Sequence, residues 1–167
     1  MKTHLKSFRR IADTAQPSLQ SHQLETSVGL WHNSAVLKVQ KRDWKEVPAD
    51  GSPEAGIFFS IWVEAKSLKK NQAFYNIHAL RLRSLSAYTL QSREFAAAFR
   101  ARFQHQKDAW PHVSLEYGPQ TLMQGWISLD SGHADEEMAS LIRLFIPAAI
   151  IIDELLDARK AADKASW

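Results

Sequence analysis

The chain has 167 residues, 45% of them hydrophobic and 23% charged, with a net charge of +3, a balance that fits one globular domain and excludes disordered and fibrous classes. It has no cysteine, which removes disulfides, thiolate zinc sites and cysteine nucleophiles together and points to a cytoplasmic setting. Its longest apolar run, Leu144 to Ile152, contains Pro147 and is half the ~18 residues a membrane span needs, so no membrane partner is expected.

Residues 1–16 are expected to form an amphipathic helix, with Leu5, Phe8, Ile11 and Ala15 on one face and Pro17 ending it. A transit peptide has a similar composition, but the apolar segment of a secretory signal is missing. The stretch VGLWHNSAVLKVQKRDW reads as one long strand, or as two broken at Asn33-Ser34. A loop over residues 46–56, rich in Pro and Gly, precedes the β-rich run IFFSIWVEAK. Alternation there puts Ile57, Phe59, Ile61, Val63 and Ala65 on a core face and Phe58, Ser60, Trp62, Glu64 and Lys66 on the other.

After the polar break SLKKNQ, residues 74–83 fit a hairpin strand, although Phe74, Ile77, Arg81, Leu85 and Tyr88 also track a helical face. A central Phe/Arg-rich helix is expected over 92–106, with Ser92 as N-cap and Phe95, Phe99 and Phe103 as a core stripe. VSLEYGP and LMQGWISLD suggest two strands around Gly118-Pro119. A long C-terminal helix over 134–160 follows, with Asp135, Glu136 and Glu137 in its first turn, a kink or split at Pro147 and a frayed end. The whole predicts a single α+β domain with a mainly antiparallel sheet over 26–130.

Charge is unevenly spread: residues 61–112 carry nine Lys or Arg against three acids, and residues 113–167 carry four against nine. A basic middle suits a polyanion such as nucleic acid, or an acidic segment of the same chain or of a second copy. Lys66, Arg81, Arg83, Arg93, Arg100 and Arg102 are the candidate contacts, with Arg81 and Arg83 sharing a strand face. Trp62, Tyr75 and Trp110 lie nearby in sequence and would stack on bases if exposed. The stretch 145–156, apolar from Phe145 to Ile152 and then carrying Asp153 and Glu154, offers a homodimer surface or a buried core helix.

Glu64-Ala65-Lys66 at a strand end resembles the Glu-x-Lys element of PD-(D/E)xK nucleases. That resemblance implies Mg²⁺ held by Glu64 with Asp43 or Asp50, and Lys66 orienting water. A second match, Asp43-Trp44-Lys45, shows how readily the tripeptide recurs, and an ion pair at a solvated strand end is the structural alternative. The seven histidines have no metal-ligand spacing, and neither a GxSxG elbow nor a phosphate-binding glycine loop occurs. Three readings follow: a non-enzymatic module binding nucleic acid or another polyanion through its middle, a metal-dependent nuclease, and an assembly subunit dimerising through the C-terminal helix.

Overall fold

The computed structural model describes residues 1–162 and shows an α+β fold in which helices pack on one face of an antiparallel sheet. Helix α1 (Lys2–Gln20) buries Phe8, Ile11, Ala12 and Leu19. It runs through Pro17 rather than stopping before it. The proline ring is exposed, and Leu19, fully buried, anchors the last turn by accepting the Leu24 N–H at 2.9 Å. That burial offsets the ~3 kcal/mol an internal proline costs.

Strands β1 (Glu25–Trp31) and β2 (Ser34–Gln40) form a hairpin. Its two turn residues, His32 and Asn33, both have positive φ, at 48° and 67°, the signature of a type I′ turn that matches strand twist. The short β3 (Lys45–Glu46) pairs with the start of β4 (Ala55–Val63). Helix α2 (Ala65–Lys69) then leads to β5 (Gln72–Leu80), so the segment open to two readings is a strand. Helix α3 (Ser92–Phe103), strand β6 (Thr121–Ser128) and helix α4 (Ala134–Asp157) complete the chain. The strand order is β1-β2-β4-β5-β6, antiparallel throughout.

One set of alternating residues faces the helices: Leu37 and Val39 of β2, Ile57, Phe59, Ile61 and Val63 of β4, and Tyr75 and Ile77 of β5 have no exposure. Phe95, Phe99 and Phe103 of α3 and Phe145 of α4 close over them. Gly125 is needed on β6, because a Cβ there would lie 2.3 Å from the Tyr75 hydroxyl. That hydroxyl is pinned by donating to the Pro111 carbonyl at 2.6 Å, and burial pushes its pKa above the ordinary tyrosine value.

Several expectations are corrected. Helix α4 is not split at Pro147, which faces solvent while Ala148, Ala149, Ile151, Ile152, Leu155 and Leu156 continue its buried side. The stretch 145–156 is thus used mainly in this chain's own core, with Ile150 the exposed large apolar side chain. The end of the chain is docked as far as Ala161: Thr89 N–H bonds to the Arg159 carbonyl and Ala161 N–H to the Ala87 carbonyl. Residues 163–167 of the expected frayed end lie outside the described residues. Ser92 is the first residue of α3, with Gln91 at the N-cap. Of the two strands expected around Gly118-Pro119, only the second, β6, forms. The stretch before it makes a single bridge, Ser114 to Gln124, because Tyr117 and Gly118 turn their carbonyls onto Arg100.

Candidate functional site

Strand alternation leaves a second sheet face to which α1, α3 and α4 contribute nothing, and its residues fall into cross-strand rows. One row near the β1–β2 turn crosses all five strands of the path, as Gly29, Val36, Trp62, Phe74 and Trp126 from β1 to β6. The Trp31 ring fills the place at Gly29: a Cβ there would touch the indole at 3.4 Å. Trp62 stacks on Phe74 with ring centroids 5.5 Å apart, and His112 lies parallel to Trp126 at 3.7 Å. Trp31 is 43% exposed, and Trp62, Phe74 and Trp126 are partly so. The row therefore spans roughly 19 Å across four strand spacings.

The next row is polar: Ser27, Lys38, Ser60, Asn76 and Gln124. Ser60 Oγ donates to Asn76 Oδ1 at 2.7 Å, so the Asn76 amide nitrogen faces His78 Nε2 at 2.8 Å. Nε2 is then the acceptor, and Nδ1–H points to the Gln120 carbonyl at 3.3 Å. Burial holds the His78 pKa below its ordinary value, consistent with a neutral ring that accepts from Asn76. Beyond this row, Phe58 packs against His78, and Lys38 Nζ lies 4.2 Å from the Phe58 centroid. Lys38 also reaches Glu54 at 3.9 Å, yet burial lowers its pKa. A groove of about 510 Å³ runs along this face, lined by Trp31, Val36, Lys38, Phe58, Trp62 and His78 among others.

The structure does not gather the basic residues expected to act together. Lys66 lies in the first turn of α2, which begins three residues after Trp62, with Lys69 and Lys70 close behind. Arg81 (φ 50°) and Arg83 lie beyond the end of β5 rather than on a strand face, Arg81 being seven residues or ~24 Å along the chain from Phe74 of the aromatic row. Arg93 is exposed on α3. Arg102 pairs with Glu154 of α4 at 2.9 Å. Arg100 donates to the carbonyls of Tyr117, Gly118, Thr121 and Leu122 at 2.8–3.1 Å, so its guanidinium organises the turn before β6.

Arg100→Met is expected to lower unfolding stability by about 2–4 kcal/mol, because the part-buried carbonyls of Thr121 and Leu122 lose a charged donor, as do the exposed ones of Tyr117 and Gly118. Arg100→Lys should recover little of it, since an ammonium lacks the planar fork. Urea denaturation at constant m value measures both.

The Glu-x-Lys element is also rearranged. Strand β4 ends at Val63, and Glu64 becomes the N-cap of α2, its N–H donating to Ser67 Oγ at 2.9 Å. Glu64 and Lys66 thus share no strand face. Asp43 lies in the 3₁₀ turn before β3, and Asp50 lies in the following loop, where its carboxylate accepts the Ser52 N–H. Both are at the opposite end of β4 from Glu64, roughly 25 Å along a nine-residue strand. Among the described residues no three His, Asp or Glu side chains are grouped to hold a metal.

Of the aromatics named from sequence, Trp62 is on the open face, whereas Tyr75 and Trp110 are buried. Trp31, Phe74, Trp126 and Lys38 were the missing members. The signal of the three aromatics is a large ring at positions opposite in phase to the core residues of the same strands. No helix among the described residues is long and apolar enough to cross a membrane. Comparison with protein families, with curated proteins and with solved structures finds no match to this chain.

Proposed function

We propose that this protein is a binding module for single-stranded nucleic acid, whose ligand lies along the aromatic row of the open sheet face. The observation that carries the reading is the alignment of Trp31, Trp62, Phe74 and Trp126 across the sheet on the side away from the core. Unpaired bases stack on such rings whatever their identity, whereas the bases of a duplex are already stacked and out of reach. Lys38 on the face, and Lys66, Lys69 and Lys70 in the segment that joins β4 to β5, supply cations for the phosphates. In this reading Lys66 is a phosphate contact. Arg100 and Arg102 are assigned to internal contacts.

The reading is tested by titrating the protein with a single-stranded oligonucleotide and with the matching duplex while following tryptophan fluorescence. Quenching by the single strand is expected, with weaker binding of the duplex. The affinity should fall with salt at a log–log slope of about −2 to −3, corresponding to three or four phosphates at ~0.7 per contact. Equal affinity for duplex, or no quenching at all, overturns the proposal.

A further inference from the structure

We infer that β1 is the seam of a two-fold symmetric dimer, in which the β1 strands of two copies pair antiparallel and join their sheets into one. The inference stands on the hydrogen-bonding capacity of one strand, independently of what the open face binds.

The two edges of the sheet are treated differently. The outer side of β6 is covered by the segment around Ser114, which exchanges two backbone hydrogen bonds with Gln124 at 2.8 and 3.1 Å. Among the described residues, β1 has β2 as its sole strand partner. Edge strands are normally blunted by prolines, lysines, bulges or short length. Here Thr26 to Trp31 carries no charge and no proline, and the pairing with β2 runs without a bulge from Glu25↔Gln40 to Trp31↔Ser34. Leu30 is 59% and Trp31 43% exposed on this edge.

The hairpin sets which backbone groups are free. A two-residue turn makes Trp31 and Ser34 a hydrogen-bonded pair, and the alternation of an antiparallel ladder then turns Thr26, Val28 and Leu30 outward. A two-fold axis at Val28 maps this set onto itself. Val28 meets Val28 of the second copy and Thr26 meets its Leu30, each with donors opposite acceptors. Glu25, the strand's charged residue, falls opposite Trp31, so no like charges meet. The open faces of both copies stay on the same side, and Trp31 of each comes to the middle of the joined surface. The contact is a two-strand seam with Leu30 and Trp31 beside it, well short of the ~1,600 Å² of a standard interface. The dimer is accordingly a weak one that forms with rising concentration.

Sedimentation velocity without nucleic acid, from about 5 to about 500 µM, is expected to show the mass rising from 19.0 kDa towards twice that value. Leu30→Lys, which places lysines at the seam, should raise the concentration for half-dimerisation at least about tenfold while leaving circular dichroism and melting unchanged. The natural chain has no thiol, so Val28→Cys supplies the sole one. A hydrogen-bonded antiparallel pair has Cα atoms ~5.5 Å apart, within disulfide reach. Mild oxidation should yield a covalent dimer from Val28→Cys and not from Ile150→Cys on α4. A monomer throughout the concentration range overturns the inference. So does a dimer insensitive to Leu30→Lys that crosslinks through position 150 instead.

Discussion

Trp62→Leu combined with Phe74→Leu is expected to weaken single-stranded nucleic acid binding by about 2–4 kcal/mol, a loss of roughly thirty- to several-hundredfold. Each aromatic–base stack contributes ~1–3 kcal/mol, and these two rings are stacked neighbours at the centre of the row. Leucine keeps apolar volume on the face, so the fold should melt within a few degrees of the parent. The salt slope should stay the same, since no cation is removed. Lys66→Ala with Lys69→Ala should do the reverse, flattening the slope while costing less affinity. Fluorescence anisotropy with a labelled oligonucleotide at several salt concentrations separates the two effects. A double leucine variant that binds like the parent would remove the aromatic row from the interface.

The largest effect on stability is expected at Phe145→Ala. Phe145 has no solvent exposure, stacks on Phe59 with centroids 4.7 Å apart and meets the edge of Trp44 at 6.0 Å. It is where α4, the centre of the sheet and the loop after β2 converge. Removing a buried phenylalanine side chain costs about 3–5 kcal/mol through lost transfer energy and the cavity left behind. That is a large fraction of the ~5–15 kcal/mol stability of an ordinary domain. For a chain of this length the melting temperature should drop by about 10–15 °C. The partner cluster is polar at its rim, where Trp44 Nε1 donates to Asp153 at 2.9 Å and Lys41 pairs with the same carboxylate at 2.5 Å. Collapse of the cavity is therefore resisted from two sides. A loss below about 1 kcal/mol would mean that α4 does not close the core in this way.

Much of the fold is written in local periodicity. The alternation Ile57, Phe59, Ile61, Val63 identifies both the strand and its buried face, and the four-residue spacing of Phe95, Phe99 and Phe103 identifies α3 and its packing side. Neither proline ends its helix, for one reason: Pro17 and Pro147 point to solvent, while the burial of Leu19, and of Ala148, Ala149, Ile151, Ile152, Leu155 and Leu156, carries each helix onward. Strand ends were harder to read. The Ser67 hydroxyl captures the Glu64 N–H and turns the chain into α2, and Arg81 adopts a left-handed conformation that stops β5. Both events depend on one or two residues and leave no periodic trace.

Arginine roles were illegible because the partners are remote in sequence. Arg100 is bound to carbonyls between positions 117 and 122, and Arg102 to Glu154. From the sequence alone each is simply a cation on the outer side of a helix. The candidate site was half legible. Trp62 falls out of the alternation in β4, but its neighbours Phe74, Trp126 and Trp31 join it through strand register, which sets residues from 31 to 126 side by side.

The indole N–H signals of an ¹⁵N-labelled sample, followed as a single-stranded oligonucleotide is added, test the open-face interface most directly. Trp31, Trp62 and Trp126 are expected to shift together and to saturate, whereas Trp44, bound to Asp153 beneath the sheet, and Trp110, 3% exposed, stay in place. Shifts at Trp44 and Trp110 with the three face tryptophans unmoved, or no shifts at saturating oligonucleotide, would contradict it.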